Sequence, residues 1–420
     1  MTDKKITVLT LGDMPFSPSG VGIQTKQICE ALLDSGKFRV VSIGGAVKHP
    51  QYKPVKTDKY EDDWIVYPVD GFGNADVIRS IMRNTKPDIL WFMTDPRFYE
   101  WLWMMEDEIR PLIPMIYYHV WDNYPLPHYN KPWYTSTDKV VAISKVTHNV
   151  VKGVTPEVES EYLPHAVDQS VFKKMGKEEV LAARKDNFPK WENDKFLFLW
   201  NNRNARRKMS SSVIWWFNTF LDEVGRDKAC LIMHTDPNDP NGPNLNANIT
   251  KLDLLNGEVL MSAQKLPPEH LAMMYNMADC TINISDAEGF GLSTLESLAC
   301  GTPIMVNMTG GLQEQVTDGE NWFGVGIEPI SKALVGSQNV PYIYEDRINE
   351  KQFVDALKEI YYTPRTTLEE MGEAGLAHVE KNYNFDKYKE RWVQIMLDLH
   401  EKHGSWETRK NYKAWACMEV

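Results

Sequence analysis

Cysteine is scarce in this chain. Its five cysteines, Cys29, Cys230, Cys280, Cys300 and Cys417, include no Cys-x-x-Cys pair. That spacing argues against a zinc or dithiol redox motif and fits buried thiols in a reducing compartment. Long apolar runs are also missing: no window approaches the ~20 residues that a bilayer-spanning helix needs. The opening stretch MTDKKITVLTLGD lacks the apolar core of a secretory leader and runs straight into a strand pattern, so a cytoplasmic protein is expected. Nor is there an excess of positive charge. Lysine and arginine number 46 against 58 acidic residues, a formal net charge of -12 that disfavours broad nucleic-acid binding.

What is present is a globular composition, 43% hydrophobic and 25% charged, over 420 residues. That length exceeds one ordinary core and predicts two domains. Short apolar runs alternate with helical spacing almost throughout. Ile6–Leu11, Phe38–Ile43, Trp64–Val66, Ile89–Thr94, Met115–Val120 and Lys139–Ile143 read as strands, with helices over Gln24–Ser35, Ala75–Asn84 and Lys145–Val151. A charged stretch, Asp168–Asp194, separates these from a second series. That series has strands at Phe196–Trp200, Leu231–His234, Val259–Met261, Cys280–Ile284 and Ile304–Val306. Its helices are Ser211–Val224, Glu269–Ala278, Leu292–Ala299, Asn349–Tyr361, Leu368–Tyr383 and Asp386–His403. Continuous apolar strands between helices indicate parallel sheets covered on both faces. The expected architecture is α/β, two doubly wound Rossmann-like domains, with ligands at the carboxyl ends of the strands.

Chemistry concentrates in Ser285–Gly301, SDAEGFGLSTLESLACG. Gly289 and Gly291 permit a sharp turn and close approach to a ligand. The helix that starts near Leu292 presents its first amides unpaired, a ready site for a pyrophosphate. Glu288 lies in the turn and Glu296 about one helical turn inside. In the bland alternative Ser293 to Glu296 is a capping box and Glu288 a solvated loop acid. A second cationic segment, Asn201-Asn202-Arg203-Asn204-Ala205-Arg206-Arg207-Lys208, follows the strand Phe196–Trp200. Arginine offers a planar fork and lysine a compact charge for phosphate, although a basic solvated turn has the same composition. Arg206 and Arg207 read as surface charges or acceptor contacts. The loop Asp236–Asn248 superficially matches a calcium loop, but Pro240 and Ala247 occupy ligand positions and no metal is expected.

The context EGFGLSTLESLACGTP, with seven residues between Glu288 and Glu296, resembles the paired-glutamate signature of retaining GT-B glycosyltransferases of the family-4 type. The resemblance implies that Glu288 contacts the transferred sugar and that Glu296 holds the ribose hydroxyls. By the same resemblance the turn Gly289, Phe290, Gly291 and the helix start Leu292, Ser293, Thr294 bind the diphosphate. It also implies that Arg203 and Lys208 neutralise the leaving group, although Asn202 and Met209 stand where the family has glycine. Gly20 and Gly22, in Ser19-Gly20-Val21-Gly22, match the family's glycine-rich loop. His119, at the end of a strand, matches a histidine that touches the sugar, with a satisfied core histidine as the even alternative. Asp95 is a weaker candidate, and the aromatic segments Phe98–Met105 and Trp121–Trp133 suit either acceptor stacking or packing.

The implied organisation is an acceptor-side domain over 1–185, a nucleotide-sugar domain over 186–385 and a helix over 386–420 that crosses back to the first. The implied reaction moves a sugar from a UDP- or GDP-type donor to a hydroxyl, without metal or other cofactor. The acceptor is left open between a glycan, a small molecule and a hydroxymethylated DNA base, and oligomeric state is not legible. A sugar-nucleotide phosphorylase or epimerase of the same fold, or a non-catalytic sugar-nucleotide binder, is the alternative.

Overall fold

The computed structural model describes residues 4–189 and 195–412, so Cys417 lies outside the described residues. The chain divides into two compact units. The first comprises Met1–His165, Gly336–Pro341 and Asp386–Val420, and the second comprises Ala166–Val335 and Tyr342–Phe385.

In the first unit eight strands form one sheet: β1 (Ile6–Asp13), β2 (Phe38–Gly45), β3 (Val55–Lys56), β4 (Trp64–Pro68), β5 (Ile89–Thr94), β6 (Met115–His119), β7 (Lys139–Ala142) and β8 (Ser160–Tyr162). Their order is β3-β4-β2-β1-β5-β6-β7-β8. Every pairing is parallel except β3 with β4. Helices end where local chemistry stops them. Asn74 caps the helix Ala75–Thr85 by accepting from the Val77 amide at 3.1 Å, and Lys86 closes it in the left-handed region. Ile78, Ile81 and Met82 are its buried stripe.

The helix Phe385–His403 is amphipathic in the same sense, with Tyr388, Trp392, Ile395, Met396 and Leu399 buried. Trp392 meets Trp91 and Tyr118 edge to face at ring-centre distances of 6.0 and 4.8 Å. The Tyr388 hydroxyl donates to Gln24 Oε1 at 3.0 Å.

The second unit repeats the design with β9 (Phe196–Asn201), β10 (Ala229–His234), β11 (Val259–Ser262), β12 (Cys280–Asn283), β13 (Ile304–Asn307) and β14 (Gly324–Ile327). All pairings are parallel, in the order β11-β10-β9-β12-β13-β14. Winding proceeds outward from β9 in one direction and then resumes from β12 in the other. The loops after β9 and β12 therefore flank the point of reversal, where doubly wound sheets leave a crevice. An antiparallel pair, β15 (Ser331–Val335) and β16 (Ile343–Arg347), follows the sheet.

The helix Leu292–Ala299 has the bounds read from sequence, and most other expected elements shift only at their ends. The loop expected over Asp236–Asn248 is shorter, because Asn244 caps a helix over Leu245–Lys251 by accepting from the Ala247 amide at 3.0 Å. Cys29, Cys230, Cys280 and Cys300 are buried and unpaired. Among the described residues no helix is long and apolar enough to cross a membrane.

Because Trp392 is fully buried against two aromatic rings, Trp392→Ala is expected to destabilise the first unit by about 3–5 kcal/mol, measured by urea denaturation.

Candidate functional site

Two loops meet at the reversal point of the second unit. After β9 the chain runs through a short 3-10 turn, Arg206–Lys208, and Met209 in the left-handed region turns it into the helix Ser210–Val224. After β12 it runs through Ser285–Gly291 into the helix Leu292–Ala299. A backbone bond joins them: the Asp286 amide donates to the Arg207 carbonyl at 2.8 Å.

Side chains complete the junction. The Lys208 ammonium donates to Glu288 Oε2, and both groups are almost fully buried. Arg207 donates to the Ala287 carbonyl at 2.5 Å and lies 3.5 Å from Glu288. Burial alone would push the Glu288 carboxyl up, but Lys208 and Arg207 together overcome it and hold the group at about 2. Glu288 is thus a carboxylate fixed between two cations rather than a solvated loop acid.

The second glutamate has a different setting. Glu296 accepts from the Tyr275 hydroxyl at 2.6 Å, which in turn accepts from Asn201 Nδ2 at 2.7 Å. Burial raises Glu296 to about 7, against the smaller lowering by Tyr275. The capping-box alternative is not what the side chain does, because its oxygen is engaged by Tyr275. The two acids are thus shifted in opposite directions, Glu288 down by its cations and Glu296 up by burial.

The turn between them is held from all sides. Gly291 has φ +92°, and a Cβ there would lie 2.6 Å from Leu312 Cδ2 and 2.8 Å from Thr294 Oγ1. Thr294 Oγ1 donates to Gln315 Oε1 at 2.6 Å, and Gln315 Nε2 donates to the Phe290 carbonyl at 2.8 Å. The loop after β13 presses against the same turn: the Gly311 amide donates to the Glu288 carbonyl at 3.0 Å. A Cβ on Gly311 would come within 2.7 Å of the Gly289 carbonyl oxygen and Phe290 Cα. Phe290 is buried, whereas Leu292 and Ser293 at the helix start are partly open.

From the other side β16 grips Asp286. The Asp346 amide donates to the Asp286 carbonyl at 2.7 Å, and Arg347 lies 3.2 Å from its carboxylate. Burial pushes Asp286 up to about 6, with Arg347 and Arg206 pulling down and Glu345 and Asp346 pushing up.

The Arg203 guanidinium donates to Asp239 in the loop after β10 at 2.6 Å, and the 3-10 turn separates it from Lys208. Arg207 is the arginine that the fold brings to Glu288. Arg206 pairs with Glu345. Spacing missed Arg207 because the family pattern pointed five residues before the lysine. Tyr275 carried no signal beyond an aromatic in a helix. Asp346 and Arg347 lie too far along the chain for a local pattern to connect them.

In the first unit His119 is fully buried, and its ring nitrogens lie 2.9 Å from the Tyr117 hydroxyl and 2.7 Å from that of Tyr134. Burial holds its pKa down at about 3. These are the surroundings of a satisfied core histidine, the alternative that stood evenly beside contact with the sugar. Gly20 opens the helix Gly20–Asp34, capped by Ser19, which accepts from the Gly22 amide at 3.0 Å and donates to Asp13 at 2.5 Å. Gly22 has a packing reason as well: a Cβ would lie 2.3 Å from Ser17 Oγ. Among the described residues no group of three histidine, cysteine or acidic side chains could hold a metal ion.

Residues 243–374 match the family model described as glycosyl transferases group 1. D-inositol 3-phosphate glycosyltransferase from Acidothermus cellulolyticus is 44% identical over 69 residues, 16% of this chain and 15% of that protein. The same enzyme from Kribbella flavida is 32% identical over 123 residues, 29% of this chain and 24% of that protein. The chain thus spans about a quarter or less of these curated relatives. Likeness of fold extends much further. Sucrose-phosphate synthase from Thermosynechococcus elongatus superposes with a TM-score of 0.75 at 14% identity, over 95% of this chain and 100% of that one. Anabaena HepE, solved in complex with UDP-glucose, gives 0.68 at 13% identity over 94% and 100%. The fold is GT-B, built from two Rossmann-like units.

Two outcomes test this geometry. Gly291→Ala is expected to cost about 1–3 kcal/mol, read as a lower urea midpoint of the second unit. Glu288 sits below its ordinary 4.5 when folded, so the unfolded chain takes up its proton first as pH falls. Its stabilising contribution is complete above 4.5 and disappears toward pH 2. Urea midpoints measured across that window should slope less in Glu288→Gln.

Proposed function

We propose that this protein is a retaining glycosyltransferase that moves a sugar from a nucleoside diphosphate to an acceptor hydroxyl. The observation that carries the reading is the meeting of Lys208 and Arg207 with Glu288 beside the first amides of the helix Leu292–Ala299. Fixed cations and helix-end amides suit a diphosphate, because they stabilise charge that grows as the sugar–phosphate bond breaks. Each such group contributes on the order of 3 kcal/mol to a transition state of this kind. Glu288 positions the sugar and keeps Lys208 oriented. Glu296, tied to Tyr275, receives the ribose hydroxyls. Arg203 is a further cation on the same loop, paired with Asp239.

In this reading the departing phosphate oxygen takes the proton of the acceptor hydroxyl, so no protein nucleophile is required. The local likeness to group 1 transferases over 243–374 covers the turn, both glutamates and the loop after β13, and it supports the assignment. The UDP-glucose complex of Anabaena HepE makes a UDP-sugar the first donor to try.

A donor screen by thermal shift should find one nucleotide class, among UDP-, GDP- and ADP-sugars, that raises the melting temperature by mass action. Lys208→Ala and Arg207→Ala should each lower kcat about 100-fold, with Arg203→Ala affecting it less. Wild-type turnover in the Lys208 variant would remove the basis of the proposal. Conversion of the nucleotide sugar into an epimer without net nucleotide release would instead indicate an epimerase, and phosphate-dependent formation of a sugar 1-phosphate would indicate a phosphorylase. Since a carboxylate accepts both ribose hydroxyls, nucleotide affinity should strengthen as pH rises through about 7, and Glu296→Gln should flatten that dependence.

A further inference from the structure

The pair β15–β16 is a sheet of two strands only. A hairpin of this size is marginal by itself, so its shape depends on what its root packs against. At that root Glu345 and Asp346, consecutive on β16, are both buried beside a third buried acid, Asp286, from the turn that carries Glu288. Cations reach this group from the surface. Arg206 is exposed, pairs with Glu345 and lies 3.8 Å from the Asp286 carboxylate. Lys332 on β15 is exposed too and lies 3.8 Å from Asp346. Arg347 bridges the cluster: it donates to Glu345 and sits 3.2 Å from Asp286 Oδ2.

Asn307 and Thr309 reinforce the backbone bond between Asp346 and Asp286. Asn307 Nδ2 spans the carbonyls of Ser285 and Asp346, 2.9 Å from each, and Thr309 Oγ1 donates to Asp346 Oδ2 at 2.7 Å. Asp286 is therefore the point where the hairpin meets the turn, two residues before Glu288. Its side chain is the least secured part of that junction. Asp286 Oδ2 and Arg347 Nε are buried, and neither has a hydrogen-bond partner among the described residues. What holds them is charge, so the hold lasts only while Asp286 is ionised. The charges around Asp286 are Arg206 after β9, Lys332 on β15, and Glu345, Asp346 and Arg347 on β16; Glu288 on its own turn is paired with Lys208 and Arg207. Burial outweighs the arginines and sets the Asp286 carboxyl at about 6, above its ordinary 3.8. A raised folded-state value means that the ionised form weakens folding, increasingly from pH 3.8 and in full above about 6. Ionised Asp286 thus does not serve stability.

We propose that Asp286 and Arg347 are positioning residues for the transfer: their ion pair lets the hairpin β15–β16 hold the turn in the shape that sets Glu288 against Lys208. The inference rests on the transferase reading above. Both residues act through Glu288 and need not touch the sugar nucleotide. The consequence is a turnover number that falls as pH drops through about 6. Saturating donor keeps the titration of Glu296 near 7, which acts on affinity, out of that measurement. Nucleotide release from UDP-, GDP- and ADP-glucose, with water as the acceptor, would be followed from pH 5 to 9. Amide exchange of residues 286–292 would be measured beside it in the nucleotide-free full chain.

Arg347→Met should lower kcat at least fivefold with KM within twofold, and Arg347→Lys should recover at least half of the wild-type rate. Asp286→Asn should give a low kcat without the inflection near pH 6. Its urea midpoint at pH 8 should nevertheless be no lower than that of the wild type, the reverse of what a residue serving the fold alone would show. Exchange over 286–292 should be at least threefold faster in Arg347→Met and Asp286→Asn. Where Arg347→Met does not fold, Asp286→Asn decides. Unchanged exchange in Asp286→Asn overturns the proposal, as does wild-type kcat in that variant or a loss of turnover that follows a lowered urea midpoint. Absence of turnover by the wild-type chain with all three donors would count against the transferase reading alone, and the exchange rates would still decide on the hold of the hairpin.

Discussion

The reversal of winding between β9 and β12 is the constraint on which the site depends. In a sheet wound in one direction, the loops leaving adjacent strands cross the same face and cover each other's ends. Here β9 sends its chain toward β10 and β12 sends its chain toward β13, so the two loops diverge and leave a gap above the sheet. Into that gap point a cation from one side and an acid from the other. Neither loop would make a site alone. The sheet supplies the coincidence, and the bond from the Asp286 amide to the Arg207 carbonyl fixes it.

Stability and function pull against each other at this junction. Burying an ammonium and a carboxylate is costly, and a close pair recovers the loss only when further hydrogen bonds surround it. Such bonds are present. Ser285 Oγ reaches Glu288 at 3.3 Å, and Asn307 Nδ2 donates to the Ser285 carbonyl at 2.9 Å. Gln315 and Thr294 lock the far side of the turn. A packed apolar cluster in the same place would serve folding as well, but it would offer no fixed charge to a phosphate. The preorganised polar shell is therefore best explained by the ligand chemistry proposed for it.

Much of this was legible in the chain because each feature is short-range. Strand and helix positions follow from local periodicity, and Leu292–Ala299 was readable to the residue from its flanking glycines and strands. Glu288, Glu296 and Lys208 lie in local patterns and could be named from them. The pairing of Arg203 with Asp239 was not legible, because it depends on the 3-10 turn at Arg206 and on a carboxylate in the loop after β10, neither of which a spacing rule encodes. His119 was ambiguous for a related reason: a strand-end histidine is read as a ligand or as core only when its neighbours, here Tyr117 and Tyr134, are known. The grip of Asp346 and Arg347 on Asp286 was invisible because it joins residues about sixty positions apart.

That grip also bears on how the site could be altered. The turn carrying Glu288 is joined to the loop after β9, the loop after β13 and β16 by one backbone bond each, at Asp286, Glu288 and their partners Arg207, Gly311 and Asp346, beside the side-chain bonds of Lys208, Arg207 and Arg347. Grafting the turn by itself into another protein would strip away three of its walls. A transplant that preserves its shape has to carry all four segments together, which makes this quartet, rather than any one motif, the smallest inheritable piece of the site.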